Sequence, residues 1–134
     1  MKILILNGSP HLDGPTSDMA NAFTKGAKEA GHEVVSVNVA HKNIRGCMAC
    51  EYCRNKEKGI CAQKDAIDIP KNVKKVALIM SSGSKFVYGA AIAEYFQSIV
   101  EYWGVENAGI FTANGRQNKS EKKRKELYRF GKNI

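Results

Sequence analysis

The chain has 134 residues, of which 43% are hydrophobic and 25% charged, and its formal net charge is +8. These are ordinary values for a single globular domain, which we place at residues 1–134. No apolar run approaches the roughly 20 residues of a membrane span, and "MKILIL" is too short an apolar run for a signal peptide. We therefore predict a cytoplasmic protein without a membrane partner. Its charge favours anionic ligands without choosing among them.

The first predicted elements are a strand, a loop and a helix. Residues 2–7 are a short apolar run, typical of a parallel strand that is covered on both faces. A loop rich in Gly and Pro follows at 8–17. The next helix has apolar residues at helical spacing, a predicted N-cap at Thr16 or Ser17, and Gly31 at its end. "HEVVSVNVA" is then a second strand.

The second half of the chain alternates in the same way after an irregular insertion at 40–74. "DAIDIP" within this insertion predicts one helical turn. "KKVALIMSSG" is a third strand, and residues 88–103 form an amphipathic helix, closed by Gly104, whose apolar stripe is predicted to be core. "ENAGIFTANG" is a fourth strand and "KSEKKRKELYRFGKN" a basic helix capped by Ser120. Such alternation indicates an α/β fold with a mostly parallel sheet, whose ligands bind beyond the carboxyl ends of the strands.

The loop at 8–17 has the features of an anion site. It precedes a helix N-terminus, where unpaired N–H groups and the helix dipole favour negative charge. Side-chain donors are available at Ser9, His11, Thr16 and Ser17. The loop matches neither the Walker A pattern nor GxGxxG. An ordinary capped turn is the alternative, and Asp18 in the first helical turn competes with an anion for the same positive end.

Four cysteines lie within 15 residues and spell C-x2-C-x2-C-x7-C: Cys47, Cys50, Cys53 and Cys61. In a cytoplasmic protein they indicate a metal, cluster or redox function rather than structural disulfides. Zinc sites more often have two separated C-x2-C pairs, whereas a compact run favours an iron–sulfur cluster. The hypotheses left open are a [4Fe–4S] cluster, a zinc ion and four reduced thiols.

"MKILILNGSP…TS", "GHEVVSVNVA" and "CMACEYC…GICAQKDA", in this order, resemble the NADPH-dependent FMN reductase and iron–sulfur flavoprotein family. The resemblance implies a flavodoxin-like, three-layer α/β/α fold. It implies that Ser9, His11, Thr16 and Ser17 hold the phosphate of FMN, although many members have Arg at the position of His11. It also implies a [4Fe–4S] cluster on Cys47, Cys50, Cys53 and Cys61, and NAD(P)H as the electron donor.

The chain departs from this family because one strand–helix unit of the usual five is missing after the cysteines. We expect "KKVALIM" to take the vacant position beside "MKILIL", which gives about four strands in the order 2-1-3-4. The loop after that strand, with Ser82 and Gly83, would then border the flavin ring. Pairing of two chains into a dimer would cover any remaining sheet edges.

The predicted function is an FMN-binding oxidoreductase that passes electrons from NAD(P)H to an unknown acceptor, with no side chain assigned as acid or base. The alternative is a shortened, non-catalytic module that binds flavin weakly or not at all and acts by protein interaction or as an electron carrier. A zinc-stabilised basic binding domain is a third hypothesis. We interpret "EKKRK" at 121–125 as a solvated helix face and predict no nucleic-acid partner, because no nucleic-acid-binding motif accompanies it.

Overall fold

The computed structural model describes residues 1–55, 62–63, 73–83, 88–102 and 104–134. Its strands are β1 (Lys2–Asn7), β2 (Glu33–Asn38), β3 (Lys75–Ser82) and β4 (Glu106–Asn114). Its helices are α1 (Pro15–Glu29), α2 (Tyr52–Asn55), α3 (Gly89–Tyr95), which continues as a π-helical turn over Phe96–Glu101, and α4 (Glu121–Asn133). Short 3₁₀ turns follow β2 (Val39–His41) and β4 (Gly115–Lys119). The predicted order of strands and long helices is confirmed, while "DAIDIP" and the helical turn predicted in it lie entirely outside the described residues.

The four strands form parallel pairs, as expected for an α/β domain. β1 pairs with β2 along its whole length, starting with Lys2 opposite Glu33. β3 pairs with β4, starting with Lys75 opposite Glu106, and the register shifts once after Val76. In a parallel pair the carboxyl ends of both strands lie at the same edge, so this pairing decides which loops can share a site.

The predicted single sheet in the order 2-1-3-4 is wrong for the described residues. They contain two two-stranded sheets, β1–β2 and β3–β4, and no ladder joins β1 to β3. Helix α1 contacts β1, β2 and β3, and one core receives side chains from both sheets: Ile3, Ile5, Val34, Ile79, Phe111 and Ala113. Hydrogen-bonded pairing requires two strands to lie about 4.8 Å apart. Burial of apolar side chains under a shared helix does not require that spacing. Apolar burial beneath α1 therefore joins the two sheets.

The centre of the core lies between α1 and α4. Met19 and Phe23 of α1 are buried there with Leu127 of α4, and Met19 and Leu127 are 1% and 0% exposed. The ring of Phe130 packs against Phe23 and Phe111, with ring centroids 5.3 Å and 4.5 Å apart. The apolar face of the basic terminal helix is thus turned inward, and its charged face is turned to solvent.

Two glycines allow α1 and α4 to touch backbone to backbone. A β-carbon at Gly26 would lie 2.0 Å from the carbonyl oxygen of Tyr128. A β-carbon at Gly131 would lie 2.2 Å from the carbonyl oxygen of Phe23. Real β-carbons do not approach other atoms this closely, so any larger residue at either position requires the helices to move apart.

Glycines also end two helices, as the sequence predicts. Gly31 has φ +84°, and the N–H groups of Gly31 and His32 donate to the carbonyl oxygens of Lys28 and Ala27. Gly104 has φ +62° and closes the helix that begins as α3. Both ends are Schellman motifs, in which a left-handed glycine turns the chain back over the last helical turn. None of the described helices is long and apolar enough to cross a membrane.

Helix α3 confirms part of the predicted apolar stripe. Tyr88 and Tyr95 are buried, and Ile92, Ile99 and Val100 are half-buried. Ala91 and Phe96 are exposed, and Trp103 lies outside the described residues. The π-helical turn begins at Phe96 and departs from the period of 3.6 residues on which the stripe was predicted. The hydroxyl of Tyr95 lies 3.0 Å from the carbonyl oxygen of Val76 and 2.9 Å from Asn107 Oδ1, which attaches α3 to both β3 and β4.

We expect the protein to lose stability at high pH through Tyr95. Burial raises the pKa of this phenol above its ordinary value near 10. The folded state therefore holds the proton more tightly than the unfolded state does. The resulting stabilisation of the fold is fully present at neutral pH and is lost as the pH rises above about 10. Thermal melts from pH 8 to 11 measure the effect. A Tyr95→Phe variant should be less stable at pH 8, because it lacks the hydrogen bonds, and should show a shallower decline above pH 10.

Candidate functional site

Three connections meet at the carboxyl ends of the strands. The β1–α1 loop is linked to the end of β3 by a hydrogen bond of 2.6 Å between Thr16 Oγ1 and Ser81 Oγ. The turn after β4 is linked to the same end, because Asn118 Nδ2 donates to the carbonyl oxygen of Ser82 at 2.9 Å. This is the edge at which parallel α/β proteins bind ligands. The structure therefore places two of the predicted site residues at this edge, Thr16 in the first turn of α1 and Ser82 at the end of β3.

Gly83 lies on the exposed side of this edge, next to the turn after β4. The position of a β-carbon on Gly115, whose φ is +47°, is 3.8 Å from the carbonyl oxygen of Gly83. Among the described residues, apart from Gly83 and its neighbours in the chain, no atom lies within 4 Å of the position that a β-carbon on Gly83 would take. A flat group could approach the backbone closely here.

Tyr88 holds the ends of β3 and β4 together and is not available for stacking on a ligand. Its side chain is buried, and its hydroxyl donates to the carbonyl oxygen of Ala113. Burial raises the pKa of Tyr88, and a hydrogen bond with the backbone of Ser82 opposes part of that effect. The aromatic ring therefore belongs to the support beneath the site.

The β1–α1 loop is held in shape by its own side chains. Asn7 Oδ1 accepts from the N–H of Ser9 at 3.0 Å, and Asn7 Nδ2 donates to Ser17 Oγ at 3.0 Å. Ser17, 3% exposed, donates to the carbonyl oxygen of His11 at 2.9 Å, and Ser9 Oγ donates to the same oxygen at 3.1 Å. The predicted donors Ser9 and Ser17 are thus bonded within the loop, while the side chain of His11 is exposed.

Helix α1 begins earlier than predicted, so the expected N-cap at Thr16 or Ser17 is wrong. Gly14 is the N-cap, without a side-chain cap hydrogen bond, and Pro15 occupies the first helical position. Proline is favoured there because its φ is already helical and its missing N–H would have no partner. Thr16 and Ser17 are therefore in the first turn, where backbone N–H groups have no acceptor within the helix. This arrangement gives the loop backbone donors for an anion.

An ion pair reduces the local negative charge that Asp18 brings to the start of α1. Arg124 of α4 lies 3.8 Å from Asp18, nitrogen to oxygen. Both side chains are more than 40% exposed, so the pair adds little to stability. The ion pair instead changes the electrostatic potential at the N-terminus of α1. Because Arg124 partly neutralises the carboxylate of Asp18, that carboxylate competes less with a bound anion than its position in the sequence indicates.

Three asparagines at this edge were not selected from the sequence. Asn7 could have been found, because Asn two residues before a loop N–H is a common turn former. Asn118 carries no such signal, since its partner Ser82 is 36 residues away. Asn38 lies opposite Asn7 at the end of β2, and both polar atoms of its side chain are buried without a hydrogen-bond partner in the described part of the chain.

The cysteine segment is only partly covered by the structure. Cys47 and Cys50 are exposed thiols. Cys53 lies in α2, but its side chain, like the whole of Cys61, is outside the described residues. Within the described ranges no three potential ligands are grouped as for a metal ion. The structure therefore neither assembles nor separates the predicted set of four ligands.

The backbone around Cys50 is unusual. Ala49 and Glu51, on either side of it, have φ +52° and +53°, a left-handed conformation that is uncommon for residues other than glycine. The N–H of Ala49 donates to Cys47 Sγ at 3.4 Å. Gln63 Nε2 donates to the carbonyl oxygen of Gly46 at 2.9 Å. This bond joins two segments that, in the sequence, directly flank the first and last cysteines of the motif.

Comparison with known proteins places the fold and the family. The family model of NADPH-dependent FMN reductases matches residues 1–79, more than half of the chain. A solved NAD(P)H:quinone oxidoreductase from Methanothermobacter marburgensis has a TM-score of 0.64 over 99% of this chain and 96% of its own, at 20% identity. This likeness shows a flavodoxin-like arrangement of parallel strands and flanking helices, and at this identity it shows the fold alone.

Sequence relatives are iron–sulfur flavoproteins of archaea. One from Methanocaldococcus jannaschii is 38% identical over 68 residues, which are 51% of this chain and 33% of that protein. A second from the same organism is 30% identical over 95 residues, 70% of this chain and 48% of that protein. One from Archaeoglobus fulgidus is 37% identical over 68 residues, 51% of this chain and 30% of that protein. The chain thus spans a third to a half of their length. With the strand–loop–helix unit at its start and its parallel α/β fold, the chain belongs to the NADPH-dependent FMN reductase family.

Proposed function

We propose that this chain binds FMN at the carboxyl edge of its strands and passes electrons from NAD(P)H to an acceptor. The observation that carries the proposal is the start of α1, where the first-turn N–H groups of Thr16 and Ser17 have no helical acceptor and Thr16 is hydrogen-bonded to Ser81 at the end of β3. A dianionic phosphate suits such a site better than a neutral ligand does. The family membership of the chain supports the choice of FMN.

The residues present fit the two ends of FMN. The hydroxyls of Ser9, Thr16 and Ser17 now bond to His11 and Ser81, and each can turn its hydrogen toward a phosphate oxygen by rotation of the hydroxyl. His11 would add an exposed imidazole donor. The exposed backbone of Gly83, next to Ser82, would lie against the flavin ring. When bound, the flavin supplies the hydride and electron-transfer chemistry, and the chain supplies its position and its electrostatic environment.

We further propose that the cysteine segment holds a [4Fe–4S] cluster. Four thiols in a compact run are the donor set of such a cluster. The N–H of Ala49 already donates to Cys47 Sγ, and hydrogen bonds of this kind stabilise thiolates that bind metal. The archaeal relatives are named iron–sulfur flavoproteins, which supports the choice over zinc.

Reduction by a nicotinamide nucleotide tests the proposed reaction. The FMN-loaded protein should lose the visible absorption of oxidised flavin when NADH or NADPH is added without oxygen. Absorption should return when an acceptor such as a quinone is admitted. If both nucleotides leave the flavin oxidised while dithionite reduces it, the proposed electron donor is wrong.

The split of the strands into two sheets favours a second candidate, a module that binds protein but not flavin. Without a ladder between β1 and β3, the phosphate loop and the loop at Ser82 are fixed to each other chiefly through α1 and the Thr16–Ser81 bond. If these contacts do not hold the two loops rigidly, the flavin ring has no preformed binding surface. If the protein takes up no FMN, the flavin proposal is wrong and this candidate is favoured.

Replacing Cys50 by Ser should remove iron from protein purified without oxygen. Iron and acid-labile sulfide would be measured per chain by chemical analysis, with the wild type expected to hold four of each. Cys50→Ser should hold less than about half as much, because an alcohol is a poor ligand for iron compared with a thiolate. Ser36→Cys, which adds an exposed thiol on β2 away from the motif, is the control and should not change iron content. Zinc in the wild type in place of iron and sulfide would contradict the cluster.

A further inference from the structure

Most of the excess positive charge of the chain lies in its last 20 residues. Residues 115–134 contain eight Lys and Arg and two Glu, a net charge of +6 out of +8 for the chain. These residues form the turn after β4 and helix α4. Such a concentration creates a strong local field on one surface, in addition to the general effect of net charge.

Helix α4 presents four of these cations along one exposed face, which we call the α4 stripe: Lys122, Lys125, Arg129 and Lys132. Their spacing of three, four and three residues puts them on the same side of the helix over about 15 Å. Lys125 is paired with Glu121 at 3.0 Å. Lys122, Arg129 and Lys132 form no ion pair with any carboxylate in the described residues. The stripe therefore retains uncompensated charge at three points.

The surface around the stripe suits a protein partner better than a nucleic acid or a membrane. Glu121 and Glu126 lie on the same exposed surface of α4 as Lys122, Lys125 and Arg129, so a continuous phosphate backbone would meet carboxylates. The aromatic Phe130 packs into the core and offers no platform for base stacking. The apolar side chains of α4 also face inward, which leaves nothing to insert into lipid.

The turn that connects β4 to α4 carries two further cations beside the candidate site. Arg116 and Lys119, both exposed, lie in the turn after β4, and Asn118 of the same turn donates to Ser82 at the carboxyl edge. We propose that the α4 stripe docks a protein with a predominantly acidic face, seated along α4 and reaching the carboxyl edge. This goes beyond the proposed function and does not require that flavin be bound.

Poly-L-glutamate is the probe, and the full-length chain is titrated with it at physiological ionic strength. The stripe variant combines Lys122→Gln, Arg129→Gln and Lys132→Gln. The control variant combines Lys42→Gln, Arg54→Gln and Lys74→Gln, which are exposed residues elsewhere and give the same net charge. A third variant, Lys122→Arg with Lys132→Arg, keeps the charge of the stripe. Thermal melts establish that all three are folded.

The stripe variant should bind poly-L-glutamate on the order of tenfold more weakly than the wild type, and the control variant no more than about twofold more weakly. The variant with two arginines should bind like the wild type. Equal losses in the stripe and control variants would overturn the proposal, because net charge alone would then explain binding. Tighter, stripe-dependent binding of a DNA duplex or of anionic vesicles would also overturn it and would reassign the partner to that class.

Discussion

Replacing Gly26 or Gly131 by Ala is expected to lower the free energy of unfolding by about 3 kcal/mol or more, the upper part of the range for overpacking. The added methyl would lie 2.0 Å from the Tyr128 carbonyl oxygen at the first position and 2.2 Å from that of Phe23 at the second. Both obstacles are backbone atoms, so no rotation of a side chain relieves the contact. The helices must separate, and separation exposes Phe23 and Leu127, which both helices now bury.

Gly89→Ala is the matched control for this prediction. Gly89 lies in the first turn of α3, and the space around its missing β-carbon is open. Alanine has the higher helix propensity, so this variant should be neutral or slightly stabilised. Urea unfolding followed by circular dichroism compares the three variants with the wild type. Equal stability of Gly26→Ala and Gly89→Ala would contradict the packing of α1 on α4.

Thr16→Glu is expected to weaken FMN binding by on the order of 100-fold while leaving the fold intact. A carboxylate in the first turn of α1 would lie near the proposed phosphate, and two unit charges roughly 5 Å apart repel by about 3 kcal/mol at an effective dielectric constant of 20. The same carboxylate interacts favourably with the helix dipole. That gain offsets the lost hydrogen bond to Ser81.

Asn21→Glu provides the control, since Asn21 is an exposed residue further along α1 and the variant has the same net charge. FMN affinity would be measured by quenching of flavin fluorescence for both variants and the wild type. The Asn21 variant should lose no more than about twofold. If Thr16→Glu binds FMN as tightly as the wild type, the phosphate does not lie at the start of α1.

The elements of the fold were predictable because local chemistry determines them. Alternating apolar runs and helical stripes gave the strands and helices in the right order, and Gly31 and Gly104 marked helix ends that the structure confirms. The start of α1 was misplaced because Gly14 and Pro15 compete with Thr16 for the role of helix start. The prediction considered only Ser and Thr as N-caps. It neglected that proline is favoured at the first helical position, which places the N-cap at Gly14.

The pairing of strands and the shape of the site were less predictable, because both depend on contacts between distant residues. Nothing near β3 in the sequence says whether β1 is its neighbour. The two sheets share one core with α1, and α1 packs on α4 through Gly26 and Gly131, which are 105 residues apart in the sequence. Likewise, Ser9 and Ser17 were recognisable as donors, but their bonds to His11, and the role of Asn118 at Ser82, appear only when the loops are assembled.

The comparison of FMN with riboflavin tests the central claim most directly, because the two differ only in the phosphate. Binding of each to the wild-type chain would be measured by calorimetric titration under the same conditions. If the start of α1 holds the phosphate, FMN should bind on the order of 100-fold more tightly than riboflavin, a difference of about 3 kcal/mol. Equal affinities, or no binding of either flavin, would contradict the account.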